Sequence, residues 1–265
     1  MTDFLELHQR EGQPLLLPNP WDVGSARLLA SFGFEALATT SSGFAATLGR
    51  LDYGITREEA LEHAAAIAAA VGVPVSADLE NGFGDSPDEV AETIRRAVQA
   101  GLAGGSIEDS TGRDEEPVYT LEAAAERIAA AVEAADGRLV LTARAENYLY
   151  GRDDLADTIA RLQAFEAAGA DVLYAPGLTK LEDIREVVRS VGKPVNVLAL
   201  PNAPAVAELA EAGVRRISVG GTFAFAALGA VVDAAQELLE KGTYGFSEQA
   251  QRGAKAARAA FQERG

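Results

Sequence analysis

Eight times along this chain a short run of Leu or β-branched residues gives way to a polar loop, then an Ala-rich amphipathic stretch, and in most repeats a glycine. That repetition constrains the fold most, because strands and helices alternating through right-handed crossovers build a parallel sheet. Strands are expected at 15–17, 36–40, 75–78, 104–108, 139–144, 172–174, 195–198 and 216–220. They are short and apolar on both faces, as parallel strands covered by helices must be. Helices are expected over about 22–32, 57–71, 87–100, 120–135, 153–168, 180–191, 203–212 and 222–241. Ser86-Pro87, Thr120, Asp153 and Asn202 mark helix starts. Gly33, Gly72, Gly101, Gly137, Gly169, Gly192 and Gly213 stand where a left-handed residue ends a helix.

Eight such units favour closure into one (β/α)8 TIM barrel, an α/β fold over residues 1–265, and the 265-residue length suits it. An open doubly wound sheet is the alternative, but no GxGxxG follows the first strand. A further helical segment, about 247–262, is left over. The helix before it begins FAFAALGAVV, apolar nearly all round. A barrel's outer helix needs only one apolar face, so the extension from about 222 is expected to be covered by a partner subunit.

Net charge is -17 and the pI about 4.5, which argues against a nucleic-acid partner. No apolar run reads as a membrane span and MTDFLELHQREG lacks a signal-peptide core, so a soluble cytoplasmic protein is expected. The absence of cysteine excludes disulfides, thiolate ligands and a cysteine nucleophile.

Barrels of this type place their chemistry at the C-terminal ends of the strands. Asp78, Glu80 and Glu108 fall at the ends of strands three and four. Packed together they repel one another and each favours its neutral form. A hard divalent cation, Mg2+ with Mn2+ as the alternative, removes that penalty; ordinary caps and surface acids are the plain alternative. Arg144 ends strand five in TARAE, where a guanidinium suits a substrate carboxylate or a developing oxyanion. An internal ion pair with Glu146 is the plain alternative, and both can hold together. Thr40, Ser41, Ser42 and Gly43 follow strand two with small residues that free backbone N–H groups for a carboxylate. Gly220-Gly221 reads either as a phosphate cup or as a tight turn. His8 and His63 lie in helical segments away from the strand ends, Asp22 reads as a helix cap, and Trp21 either packs under the first helix or walls the pocket.

The strings LPNPWDVGSARLL, ATTSSGFAATLGRLDYG, VSADLENGFG, SIEDS and LTARAE together resemble the isocitrate lyase / phosphoenolpyruvate mutase superfamily over about residues 14–225. ADLENGFG is similar to that family's metal-binding ADxDxGYG, with Glu80 in place of the second Asp. The resemblance implies that Asp78 holds Mg2+ with Glu80 and Glu108 assisting, and that Thr40, Ser41 and Ser42 grip a substrate carboxylate. It also implies Asp52 beside the metal's waters, Arg144 facing an enolate-like oxygen, and a barrel whose terminal helix is exchanged within a homodimer or homotetramer. The family's KKCG or KRCG loop, with its cysteine acid, is here DSTGRDEEPVY, and the His of the phosphonate enzymes is Ala175. The expected activity is therefore a cysteine-free, Mg2+-dependent C–C lyase or decarboxylase acting through an enolate on a small 2-oxo or 2-hydroxy (di)carboxylate. Arg144, Asp52 and Glu108 would be catalytic, while Trp21, Asn196, Asn202 and less directly Arg113 would add substrate contacts. A P–C bond mutase or hydrolase, and a silent 2-oxo-acid binder, are the rivals.

Overall fold

The computed structural model describes residues 3–262. Its sheet comprises β1 (Leu15–Leu17), β2 (Leu37–Ala38), β3 (Val75–Asp78), β4 (Gly104–Glu108), β5 (Val140–Arg144), β6 (Val172–Tyr174), β7 (Val195–Leu198) and β8 (Arg216–Ser218). The order is β1-β8-β7-β6-β5-β4-β3-β2, all pairs parallel, giving a nearly closed α/β TIM barrel. Among the described residues no ladder joins β1 to β2. That joint is bridged by Ala38 N–H donating to Pro18 O at 3.1 Å and by the side chain of Asn19. Its Nδ2 donates to Thr39 O at 2.9 Å, and its Oδ1 accepts from the N–H groups of Val219 and Gly220, each at 2.9 Å.

The helices are α1 (Asp3–Gln9), α2 (Val23–Ser31), α3 (Ser41–Thr47), α4 (Arg57–Ala70), α5 (Pro87–Gln99), α6 (Leu121–Ala135), α7 (Leu155–Ala167), α8 (Leu181–Ser190), α9 (Val206–Glu211), α10 (Thr222–Lys241) and α11 (Ser247–Phe261). Ser86 and Thr120 cap α5 and α6 as expected. Asp154 rather than Asp153 caps α7, and α9 starts after Ala205, which leaves Asn202 in the preceding loop. Gly72 and Gly192 are not left-handed, because Val71 and Val191 leave their helices in extended conformation. Two helices and a 3-10 turn, Asn147–Tyr150, escape the sequence pattern. In particular α3 springs from TTSSG, small polar residues that read as a loop until Thr40 Oγ1 accepts from Gly43 N–H.

Strand alternation divides the core. Val75, Ala77, Ile107, Leu141, Ala143, Leu173, Val195, Val197 and Ile217 pack outward under the helices. Phe4 of α1 packs with Leu15, Leu17, Ala36, Ala38, Val140 and Val172 in a second, smaller apolar cluster. Ser76, Asp78, Ser106, Glu108, Arg144, Tyr174, Arg216 and Ser218 line one polar cavity within the barrel.

α10 lies largely uncovered within this chain, as a helix apolar nearly all round must on the outside of one barrel. Only Ala224 of its twenty residues is buried within this chain, while Phe225, Val231, Val232, Leu238 and Leu239 are exposed. By length and composition it is also apolar enough to cross a membrane, with a mean hydropathy of 1.4, which corrects the reading that no such run exists. α11 folds back against α2.

Candidate active site

The cavity has a volume of about 330 Å³ and opens at the C-terminal ends of the strands. Arg144 stands at its centre. Its Nε donates to Glu146 Oε1 at 2.8 Å, its Nη1 to Asp78 Oδ1 at 3.1 Å, and its Nη2 lies 3.1 Å from Glu108 Oε2. The guanidinium also sits 5.1 Å from the centroid of the Tyr174 ring. Register explains the cluster: Glu108, Arg144 and Tyr174 are direct neighbours across β4, β5 and β6. Of the two expectations for Arg144, the internal ion pair with Glu146 is present.

Asp78 is held from the other side by Ser41, whose N–H and Oγ each donate to Oδ2 at 3.0 Å. Ser41 Oγ also reaches Asp52 Oδ1 at 3.1 Å, so one serine ties two acids together. Burial raises the Asp52 carboxyl, and Asp78 adds to the effect. Thr40 and Ser42 line the cavity and their hydroxyls lie 3.2 Å apart. Glu108 and Glu146 are pushed upward by burial, which Arg144 partly offsets.

Glu80 does not join Asp78 and Glu108 on the cavity wall. It occupies a left-handed conformation (φ 47°), which takes it out of strand alternation, and it lines a neighbouring cleft with Asn81 and Phe83. Its Oε1 is buried without a hydrogen-bond partner, and burial, then Asp78, Glu108 and Asp52, push the carboxyl up to about 9. Among the described residues no three acids or histidines stand at metal-ligand spacing, because Arg144 lies between Asp78 and Glu108.

Other expected contacts lie elsewhere. Trp21 is not on the cavity wall; its carbonyl accepts from His63 Nε2 at 3.0 Å, and its Cβ lies close to Gly43. Asn202 is exposed on the loop before α9. Asn196 is buried behind the wall, bonded to Ser218 and Arg216. Arg113 pairs with Asp85 at the surface. Gly220 and Gly221 do line the mouth.

Several lining residues were not anticipated. Tyr53, left-handed at φ 60°, donates its hydroxyl to Glu108 and lies 3.2 Å from the hydroxyl of Tyr150, which in turn is 2.8 Å from Ser110 Oγ. Burial and Glu108 raise the Tyr53 phenol far above its ordinary value, so it stays protonated. Arg216 and Ser218 were also missed, although alternation in Arg216-Ile217-Ser218 points both inward once Ile217 is placed under the helices.

Comparison with known proteins extends this description. Residues 4–239 match the family model described as phosphoenolpyruvate phosphomutase. The 2-methylisocitrate lyase of Aeropyrum pernix is 30% identical, over 86% of this chain and 77% of its own length. The oxaloacetate decarboxylase of Pseudomonas entomophila is also 30% identical, over 80% and 76%. Among solved structures, a Burkholderia cenocepacia J2315 protein described only as a candidate lyase/mutase superimposes with a TM-score of 0.93 at 54% identity, covering 98% of this chain and 95% of that one.

Proposed function

Because the chain belongs to the phosphoenolpyruvate phosphomutase family, within the isocitrate lyase / phosphoenolpyruvate mutase superfamily, we propose that it is a divalent-metal-dependent carbon–carbon lyase or decarboxylase working through an enolate on a small 2-oxo or 2-hydroxy (di)carboxylate. The carrying observation is the cluster at the strand ends, where Arg144 meets Asp78, Glu108 and Glu146 inside a cavity of small-metabolite size.

The donor set fits a hard cation. Asp52, Asp78, Glu80, Glu108 and Glu146 interact with one another around a single guanidinium, and one buried oxygen of Glu80 lacks any partner. Asp78 would be the carboxylate that holds Mg2+ or Mn2+, with Glu108 across Arg144 and Glu80 from the neighbouring cleft assisting through bound waters, and the ion would supply Lewis acidity toward a carbonyl oxygen. The protein's own groups do the rest. Thr40, Ser41 and Ser42 position the substrate carboxylate, and Arg144 stabilises the negative charge that develops on the C2 oxygen of the substrate. The carbon left with the electron pair then needs a proton, and the Tyr53 hydroxyl, which donates to Glu108 on the cavity wall, is placed to supply it. Asp52 takes the hydroxyl proton where the substrate is a 2-hydroxy acid. A second copy of the chain covers α10, in a homodimer or homotetramer, and light scattering that shows a stable monomer removes that element.

Turnover decides the rest. Oxaloacetate, malate, 2-oxoglutarate and phosphonopyruvate are each offered with and without Mg2+. Metal-dependent C–C cleavage above the free-metal rate is expected, and Asp78→Ala abolishes both turnover and calorimetric Mg2+ binding. Cleavage of the phosphonate alone transfers the assignment to P–C chemistry. Binding without turnover makes the chain a 2-oxo-acid binder.

A further inference from the structure

The cavity contains a second arginine whose charge is not spent. Arg216 is 3% exposed, and its bonds all go to neutral groups. Its Nε donates to Asn196 Oδ1 at 3.0 Å and its Nη1 to Thr142 Oγ1 at 2.9 Å. Nη1 also lies 3.4 Å from His8 Nε2. His8 Nδ1 is 2.8 Å from the Phe4 carbonyl, so Nδ1 carries the proton and Nε2 is the acceptor toward Arg216. Among the described residues Arg216 has no carboxylate partner and its Nη2 makes no hydrogen bond to protein, yet the residue lines the cavity beside Ser218, Tyr174 and Asn19. A buried cation without a counter-charge is costly and is retained where something supplies the opposite charge.

We propose that Arg216 seats the distal carboxylate of a 2-hydroxy dicarboxylate substrate. This rests on the function proposed above and narrows it. Arg144 is already engaged by three acids, so an arriving anion finds its free guanidinium at Arg216. The mouth, lined by four carboxylates against one arginine, repels a second carboxylate toward the same place. Asn196 and Thr142 fix the plane of the guanidinium from behind, and Nη2 is left for the ligand.

The placement also selects a reaction. A carboxylate stabilised by a guanidinium is held against leaving as CO2, since that departure removes the charge the site binds. In cleavage between C2 and C3 of a 2-hydroxy dicarboxylate, the hydroxyl proton leaves and C2 becomes the carbonyl of a 2-oxo acid. The C2–C3 electron pair passes into the distal carboxylate, which gains charge until C3 is protonated. Arg216 is placed to stabilise that gain, so aldol-type cleavage is favoured over decarboxylation.

Calorimetry in the presence of Mg2+ tests this with malate and lactate, which differ by the distal carboxylate, on the intact chain, Arg216→Met and Arg216→Lys. The wild type is expected to prefer malate by roughly tenfold to a thousandfold, and Arg216→Met to bring the two acids within about threefold while lactate binding is kept. Arg216→Lys retains a cation without the fork and keeps part of the preference; if the Met variant does not fold, an unchanged ratio in the Lys variant overturns the assignment. A preference that survives in Arg216→Met overturns it while leaving the functional reading intact. Failure of the wild type to bind either acid sinks both. Formate that stabilises only the wild type, with no malate preference, shows a free-anion site and removes the substrate role.

Discussion

Two arginines share one cavity under opposite conditions. At the mouth, Arg144 is surrounded by Asp78, Glu108 and Glu146, and its charge is consumed by the protein. Deeper in, Arg216 is surrounded by Asn196, Thr142 and a neutral His8, and its charge is offered to whatever enters. The contrast teaches that an arginine at a strand end is a weak guide to anion binding until its partners are known. One guanidinium organises acids; the other awaits one.

The largest expected effect comes from removing the mouth arginine. Arg144→Met leaves buried Glu108 and Glu146 and the partly buried Asp78 without their cation and should cost about 3–5 kcal/mol in urea unfolding. Added Mg2+ should restore part of that loss, because it supplies the same counter-charge. If Arg216→Met destabilises the chain more than Arg144→Met does, the comparison fails.

The floor has a pH signature of its own. Burial first, and Arg216 second, lower the His8 pKa to about 3. Its unfolded form binds a proton below about pH 6.5, so the unfolded state takes up more protons across the interval between the two values. Stability contributed by neutral His8 is therefore complete above about pH 6.5 and is lost as pH falls toward 3, at about 1.4 kcal/mol per pH unit. Wild type should lose about 2 kcal/mol more than His8→Gln between about pH 7 and 5. Equal losses would mean that His8 titrates normally and that the floor is wetter than its packing indicates.

The smallest effect belongs to the rim. Tyr150→Phe removes neutral hydroxyl contacts to Tyr53 and Ser110, and should cost no more than about 1 kcal/mol by the same unfolding measurement. A larger cost would place the rim among the charged elements.

The barrel was legible because its signal is repeated: β3, β4, β6 and β7 fall at the expected residues, and β1 with them. The acids and Arg144 were legible because they follow apolar runs. What escaped has a common cause. Arg216 begins a strand instead of ending one, so an inspection of strand ends passes it by. Tyr53 and Tyr150 reach the mouth from a left-handed loop residue and a 3-10 turn, neither of which has a period. Glu80 stands with Asp78 by its place after strand three and by the resemblance of ADLENGFG to a metal-binding motif, and a single left-handed residue is enough to turn it aside. Asn196 and Asn202 were chosen as polar residues near strand ends, but one supports Arg216 and the other lies in solvent.

The joint between β1 and β2 has a consequence in time. Every other seam of the barrel is a strand ladder, whereas this one depends on Asn19 and a single backbone bond. Opening a ladder requires concerted loss of a row of bonds, but this seam parts with the bonds of one side chain and one backbone bond. Such local openings run on microsecond-to-second timescales, far below the cost of unfolding the domain. Asn19 touches both the strand leading to Thr40 and the strand leading to Gly220, so the side chain that holds the wall together also sets how often the two sides of the mouth can separate.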